Sequence, residues 1–407
     1  MDHSQTAHKA VLNVESHREH TFVQAQGANN VKTIWPSHQT SSHFTIETNS
    51  IIANTAVPNS IMHSGGFIEF IVPRHNKRIV TLSLELVMSV PSHHPSTLIR
   101  PIFAAIEKIE YFSGSSFLGA SDYDSNYLRH CLLHSDEQLA NMSSYTNVSP
   151  ANNFREKDAE FTPGTTRTFY MDVTEMLQNL VPGLLNETLR LRVHFARGDL
   201  TFYSGLNSVA VDSAKVLLEC ETLTDGALSE IKQIYDSNKF SSRYFEARVQ
   251  RVPLTMSPAS NYQISLQNFF GNFSQLWICM GANMSSYMTT FAYADFLQSA
   301  YVTNAANQIM MGGTIQNAKW LRYMNAKSFP SSFINSQAVY PLVASKAGFV
   351  DLKSGKHSGS LLLTARGESL HLLTNDQTPE GFALYVTIIG WHASCIRVQN
   401  GNIIVLR

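Results

Sequence analysis

Short runs in which apolar and polar residues alternate with period two, or in which β-branched residues concentrate, recur along this chain and predict strands. His43 to Asn49, Gly66 to Pro73, Arg78 to Ser89 and Ile102 to Phe112 come first, with turn residues between them. Thr168 to Val173, Leu189 to Phe195 and Lys215 to Glu221 follow. One interruption has helical spacing: Tyr127, Cys131, His134 and Gln138 follow Asp124 or Ser125, either of which can cap a helix. A long loop from Asn141 to Thr166 is expected behind it. Thr224-Asp225 caps a shorter helix carrying Leu228, Ile231 and Tyr235, and the Ser/Asn-rich stretch Asp236 to Ser242 follows. Strands resume near Arg243 to Val249, Gln263 to Phe270 and Gln275 to Met280. An inserted segment then runs to about Gln308, and a helix is expected around Asn317 to Met324. The last strands are Ser360 to Ala365, Ala383 to Ile389 and Asn402 to Leu406. The longest apolar run, Phe382 to Ile396, is broken by Thr387, Gly390 and His392; it reads as a buried strand and a turn, too short to cross a bilayer.

The two halves repeat in one frame. Tyr127-Leu128-Arg129-His130 returns as Trp320-Leu321-Arg322-Tyr323 at a spacing of 193 residues, and Phe117-Leu118-Gly119-Ala120 returns as Met310-Met311-Gly312-Gly313. Phe169-Tyr170 falls on Leu362-Leu363. The row Leu189, Leu191, Val193, Phe195 falls on Phe382, Leu384, Val386, Ile388 with its parity kept, so these two segments are expected to be corresponding strands. One long period used twice means two copies of a domain. Many short strands, one helix at the same relative place in each half and no strand–helix alternation predict an all-β chain. The expected fold is two tandem eight-stranded jelly-roll β-sandwiches (a double jelly roll), each with a short inserted helix. The domains are then an amino-terminal arm over 1–40, a first roll over 41–224, a linker with a short helix over 225–242, and a second roll over 243–407. The arm is polar and His-rich, with a short helix expected near Ala7 to His20 and too little apolar surface for a core.

Composition changes this picture in one respect. The chain has 407 residues, enough for two cores, and is 43% hydrophobic, but only 15% of its residues are charged, below the roughly 25% of an average soluble protein. A neutral polar surface suits large contacts between copies; an Asn/Ser-rich composition is the plainer reading. The net charge of −1 supplies no basic field for phosphate, so direct sequence-specific nucleic-acid binding is not expected. Cys131, Cys220, Cys279 and Cys395 are dispersed, and the amino terminus has no signal-peptide pattern, which points to synthesis in a reducing cytoplasm. Five N-x-S/T triplets then reflect Asn/Ser richness rather than glycosylation.

Candidate chemistry is sparse. His130 and His134 lie one helical turn apart, a spacing that can hold a metal, but no third ligand is evident and the repeat places Tyr323 where His130 sits; packing is the favoured reading. Gly355-Lys356 lacks the first glycine of a phosphate loop. Asp122 and Asp124 stand before a helix, where capping explains them better than catalysis. No nucleophile motif is present. The chain therefore reads as a non-enzyme with no catalytic, metal or cofactor residues and no cofactor. Arg129 and Arg322, in the duplicated motif, can reach a carboxylate or helix-end carbonyls across a contact and are assembly candidates, as are Lys9 and Arg18 in the arm.

Two consecutive jelly rolls, each with a helix inserted late in the roll (Asn126 to His134 and Asn317 to Met324), behind a polar arm, resemble the double jelly-roll major capsid proteins of tailless icosahedral DNA viruses, the tectivirus and adenovirus lineage. The resemblance covers nearly the whole chain and rests on architecture, length and duplication. It implies a structural protein of the virion of a microbe's virus, made in the host cytoplasm. Three chains would form a pseudo-hexagonal capsomer. Its partners would be other copies of the chain, neighbouring capsomers, minor capsid or vertex proteins, and an internal membrane beneath the shell. The runner-up is a carbohydrate-binding or tail-fibre adhesin of tandem sandwiches, and a β-sandwich glycosidase or lyase comes third.

Overall fold

The computed structural model describes residues 46–52, 61, 65–158, 160–197, 203–204, 209–237, 240–281, 293–310, 316–326, 329–343 and 361–406. The arm, with Lys9 and Arg18, and the Gly355-Lys356 pair lie outside the described residues.

The first roll is built from β1 (Ile46–Ile52), β2 (Gly66–Ile71), β3 (Lys77–Ser89), β4 (Ile106–Ser113), β5 (Ser116–Asp122), β6 (Thr166–Asp172), β7 (Leu189–Phe195) and β8 (Ala210–Thr222). One antiparallel sheet has the order β1-β8-β3-β6 and the other β2-β7-β4-β5. The chain changes sheet at every connection except the β4–β5 hairpin, which is the jelly-roll wrap. Alternation does the sorting. In β7, Leu189, Leu191, Val193 and Phe195 are buried while Arg190, Arg192 and His194 face outward. The expected strand at Ile102 begins instead as a 3-10 turn, Ile102–Ala105, ahead of β4.

Between β5 and β6 lie two helices, where one helix and a long loop were expected. α1 (Tyr123–Leu133) is capped by Asp122 in a reciprocal box with Ser125, so the cap stands upstream of the expected Asp124 or Ser125. The chain turns extended at His134. Ser135 and Gln138 then form a second box that opens α2 (Asp136–Thr146), so Gln138 belongs to the second helix. Asn147, left-handed at φ 56°, ends it. Farther on, α3 (Asp225–Asp236) is capped by Thr224 and buries Ala227, Ile231 and Tyr235.

The second roll contains β9 (Phe240–Met256), β10 (Asn261–Ser265), β11 (Phe270–Gly281), β12 (Leu297–Thr303), β13 (Gln316–Asn317), α4 (Ala318–Ala326), α5 (Phe333–Ser336), β14 (Val339–Val343), β15 (Leu361–Thr364), β16 (Ser369–Thr374), β17 (Phe382–Gln399) and β18 (Asn402–Leu406). Its sheets run β9-β17-β11-β14, with β15 added to β11 and β18 to β17, and β10-β16-β12-β13. Strand order therefore repeats that of the first roll. β12 lies inside what the sequence presented as an insertion. The run from Phe382 is one continuous strand with no turn at Gly390. A side chain there would stand 2.6 Å from Phe273 and 2.8 Å from Phe269, so glycine is required by close ring packing.

The 193-residue frame holds for part of the roll only. α1 falls on α4, and Phe169 of β6 falls on Leu362 of β15, each paired with the third strand of its roll, β3 or β11. It fails beyond. Leu189–Phe195 is β7, whereas Phe382–Ile388 opens β17, the counterpart of β8, so these segments occupy different places in their sheets. Sixteen residues with two 3-10 turns separate β6 from β7, but four separate β15 from β16. Leu191 and Leu384 each face a core nonetheless, since parity marks the buried face and not the strand.

Candidate assembly surfaces

The two rolls meet through unlike faces. The outer side of sheet β9-β17-β11-β14 carries Trp277, Cys279, Ile389 and Trp391, all buried in one cluster with residues of the first roll. Against that side lie the end of β5, α1 and the turn Glu175–Leu177. Phe333 of α5 sits edge-on to Tyr127 and Phe154 at 5.9 and 5.0 Å. Ser331 Oγ donates to the Cys131 carbonyl at 2.6 Å, the Ser332 amide to Asp136 Oδ1 at 2.9 Å, and Gln337 Nε2 to the Asn153 carbonyl.

Charge crosses the same junction. Arg251 of β9 places Nη2 2.5 Å from Asp124 Oδ2 and 2.8 Å from Asp122 Oδ2, with Nε 2.7 Å from Asp124, and its guanidinium lies over the Tyr123 ring at 4.4 Å. Asp124 is fully buried in the first turn of α1. Burial, with Asp124 beside it, pushes the Tyr123 phenol far above its ordinary range. The sequence singled out the two aspartates but gave no sign of Arg251, which lies in the outward-facing row of a strand in the other half.

The duplicated arginines are committed within the chain. Arg129 pairs with Glu175 at 2.6 Å and Asp172 at 3.6 Å, bracing α1 against the end of β6. Burial raises the Glu175 carboxyl above its ordinary value despite that partner. Arg322 donates to the Ile334 and Asn335 carbonyls of α5 at 3.1 and 3.2 Å, reaches Asp295 at 3.2 Å and lies 5.9 Å from the Tyr340 ring of β14. Both therefore tie a helix to its own roll.

The two histidines of the pair lie against aromatic rings. The His130 ring is tilted against those of Phe103 and His134, each centred 5.0 Å away, and His134 Nδ1 lies 2.9 Å from the His130 carbonyl. Burial, with His134 and Arg129 nearby, pushes the His130 pKa down to about 3. Among the described residues, no three His, Cys, Asp or Glu side chains gather in a metal-binding arrangement, and the four cysteines are buried thiols. Ser394, His392 and Glu246 form a polar row: Ser394 Oγ lies 3.2 Å from His392 Nδ1 and donates to Glu246 Oε2 at 3.5 Å, and His392 Nε2 stands 3.4 Å from the same carboxylate. All three are buried and Phe273 sits edge-on to the imidazole at 5.4 Å, so the row lies in the interior.

Among the described residues, three surfaces present exposed or partly exposed aromatic and charged side chains. On sheet β2-β7-β4-β5 the outward rows set Glu69, Arg192 and Glu110 side by side, with Arg192 over Phe67 and Phe112 at 4.7 and 5.0 Å. His194 and Lys108 reach Glu110 at 2.8 and 2.7 Å; burial pushes that carboxyl up, but these bonds outweigh it and hold it below its ordinary value. The second surface is α4, where Trp320 and Tyr323 are 51% and 60% exposed. The third is the outer side of β8, β3 and β6, where Glu85, Val87, Tyr170, Lys215 and Leu217 are partly exposed and Tyr145 of α2 stands against Tyr170.

No family model and no curated protein matches the sequence. Solved structures do match. The chain is similar to VP54 of PBCV-1 at 14% identity, over 92% of this chain and 99% of that one, with a TM-score of 0.66. It is similar to the Faustovirus major capsid protein at 10% identity over 95% and 98%, TM-score 0.60, and to the mavirus major capsid protein at 10% over 93% and 93%, TM-score 0.51. The likeness establishes the fold: this chain is a double jelly roll, as its sequence led us to expect.

Proposed function

We propose that the chain is a major capsid protein whose two rolls, divided at residues 225–242, build trimeric pseudo-hexagonal capsomers of an icosahedral virion. The observation that carries this reading is the end-to-end likeness: both rolls, in order, align over 92% of this chain and 99% of PBCV-1 VP54. A likeness confined to one sandwich would fit an adhesin or a glycosidase equally well. The heterologous contact between equivalent rolls also supports it, since unlike faces that meet in sequence close into a ring when the rotation allows. Trp277 and Trp391 are buried, which removes two of the aromatic platforms a glycan-binding sandwich needs. The virion partners in this reading are neighbouring capsomers, minor or vertex proteins and the layer beneath the shell, with synthesis in the host cytoplasm, where buried thiols stay reduced.

Light scattering on the purified protein should give about three times the 45.4 kDa chain mass, and negative-stain images should show pseudo-hexagonal particles. A stable monomer at high concentration would overturn the reading. For residues 1–40 we assign contacts outside the capsomer. Deleting residues 2–36 should leave fold and trimer intact while particle assembly fails or gives wrongly sized shells; normal assembly would remove the arm from that role.

A further inference from the structure

The contact that joins the rolls inside the chain has its two faces on opposite partners: α1 and the end of β5 on the first roll, and the outer side of sheet β9-β17-β11-β14 on the second. Each face has a counterpart in the other roll. The counterpart of α1 is α4, and that of the buried outer sheet is the outer side of β1-β8-β3-β6. Among the described residues, neither counterpart is buried against the other roll, and the sheet face is only partly covered, by α2 through Tyr145 on Tyr170. At the 193-residue spacing, Tyr127 corresponds to Trp320 and His130 to Tyr323. Tyr127 is buried with Phe333 of the other roll against its ring, while Trp320 and Tyr323 are 51% and 60% exposed.

We propose that the occupant is a second copy of this chain: α4, through Trp320 and Tyr323, docks on the neighbour's outer face at Tyr145, Tyr170, Val87 and Leu217. This rests on the capsomer reading for the closing number of three. The surfaces suit the pairing. Two aromatic side chains presented on one helix are typical of the anchors that dominate binding energy. The receiving face mixes Tyr, Val and Leu with Glu85 and Lys215, which pair at 4.0 Å, as expected of an interface soluble before its partner arrives. By contrast, its counterpart inside the chain buries Trp277, Cys279 and Trp391 from the outset, with Arg251 in the same outward row.

The test is the double substitution Trp320→Ser and Tyr323→Ser, made in the full chain. Both residues are exposed, so far-ultraviolet dichroism should be unchanged. The concentration at which the trimer half-dissociates, read by sedimentation, should rise at least about 30-fold, the equivalent of one aromatic anchor. A second arm uses Trp320→Cys with Tyr145→Cys and a short bismaleimide: the four native thiols are buried, so cross-links should form a ladder ending at three chains. A wild-type trimer whose dissociation is unmoved by the double substitution, or a cysteine pair that gives no cross-linked dimer, would overturn this docking and leave the capsomer reading standing. A wild-type chain that is monomeric throughout would overturn both.

Discussion

Replacing Arg251 with methionine tests whether the junction between the rolls is held by its buried charge. Asp124 is fully buried and accepts from Arg251 at 2.5 and 2.7 Å, while Asp122, partly exposed, accepts at 2.8 Å. Removing one partner of a buried ion pair costs about 3–5 kcal/mol, because the remaining charge loses its compensation. The Arg251 side chain retains 28% exposure, so water already screens part of the pair and the lower end, roughly 2–3 kcal/mol, applies. Loss of the contact over Tyr123 adds about 0.5–1 kcal/mol. The first turn of α1 offsets some of this through its unpaired amides. We therefore expect Arg251→Met to destabilise by about 3 kcal/mol in urea unfolding at fixed protein concentration. Adding Asp124→Asn should restore most of the loss, since a neutral amide tolerates burial without the guanidinium. A loss below about 1 kcal/mol, or a double variant as unstable as Arg251→Met alone, would refute the assignment.

Gly390→Ala should cost about 1–3 kcal/mol by overpacking, because the new methyl meets Phe273 and Phe269 at 2.6 and 2.8 Å; Phe273→Leu in the same chain should recover part of it, and additive losses would show that the rings are not the cause. His130 stays neutral in the folded chain to about pH 3, whereas the unfolded chain binds its proton below about 6.5. Its contribution is fully present above the unfolded value and is lost as pH falls from there toward 3. His130→Phe should therefore lose less melting temperature than wild type between pH 7.5 and 4.5, and equal losses would sink the idea.

Local chemistry was legible in the sequence and long-range chemistry was not. Thr224 caps α3 and Tyr235 anchors it because a cap and a helical row lie within a dozen residues. β7 appeared with its full extent because every second residue is apolar. The same rule then misled: every strand of a sandwich alternates, so the matched parity of β7 and β17 could not separate two places in a sheet. β16 escaped as well, its six residues being short and centred on His371, which stacks on Tyr301 at 4.7 Å. The helix through Gln138 was overextended because helical spacing continues across His134, and only the Ser135–Gln138 box marks the restart. At the junction, Asp122 and Asp124 drew attention for their place before a helix. Arg251 lies 127 residues from Asp124, and no periodicity connects them.

Duplication explains why the two halves differ most where they perform the same task. Within the chain, the face that meets α1 is covered on folding, so it can be Trp277, Ile389 and Trp391, with the partly exposed Arg251 beside them paired to the buried Asp124. In the proposed docking, its counterpart on the first roll faces water until another copy arrives. There the outward rows of β3 and β8 alternate Ser83, Glu85 and Val87 with Lys215, Leu217 and Glu219, and Glu85 takes a 2.9 Å hydrogen bond from Tyr170. The helices diverge in the opposite sense. α1 buries Tyr127 at once, while α4 keeps Trp320 and Tyr323 outside. A single-roll chain could not separate these demands, because one surface would have to serve as both permanent core and reversible contact. In the proposed capsomer, one junction is fixed by folding and its copy is left for association, which is the arrangement a subunit needs if it must fold alone and assemble afterwards.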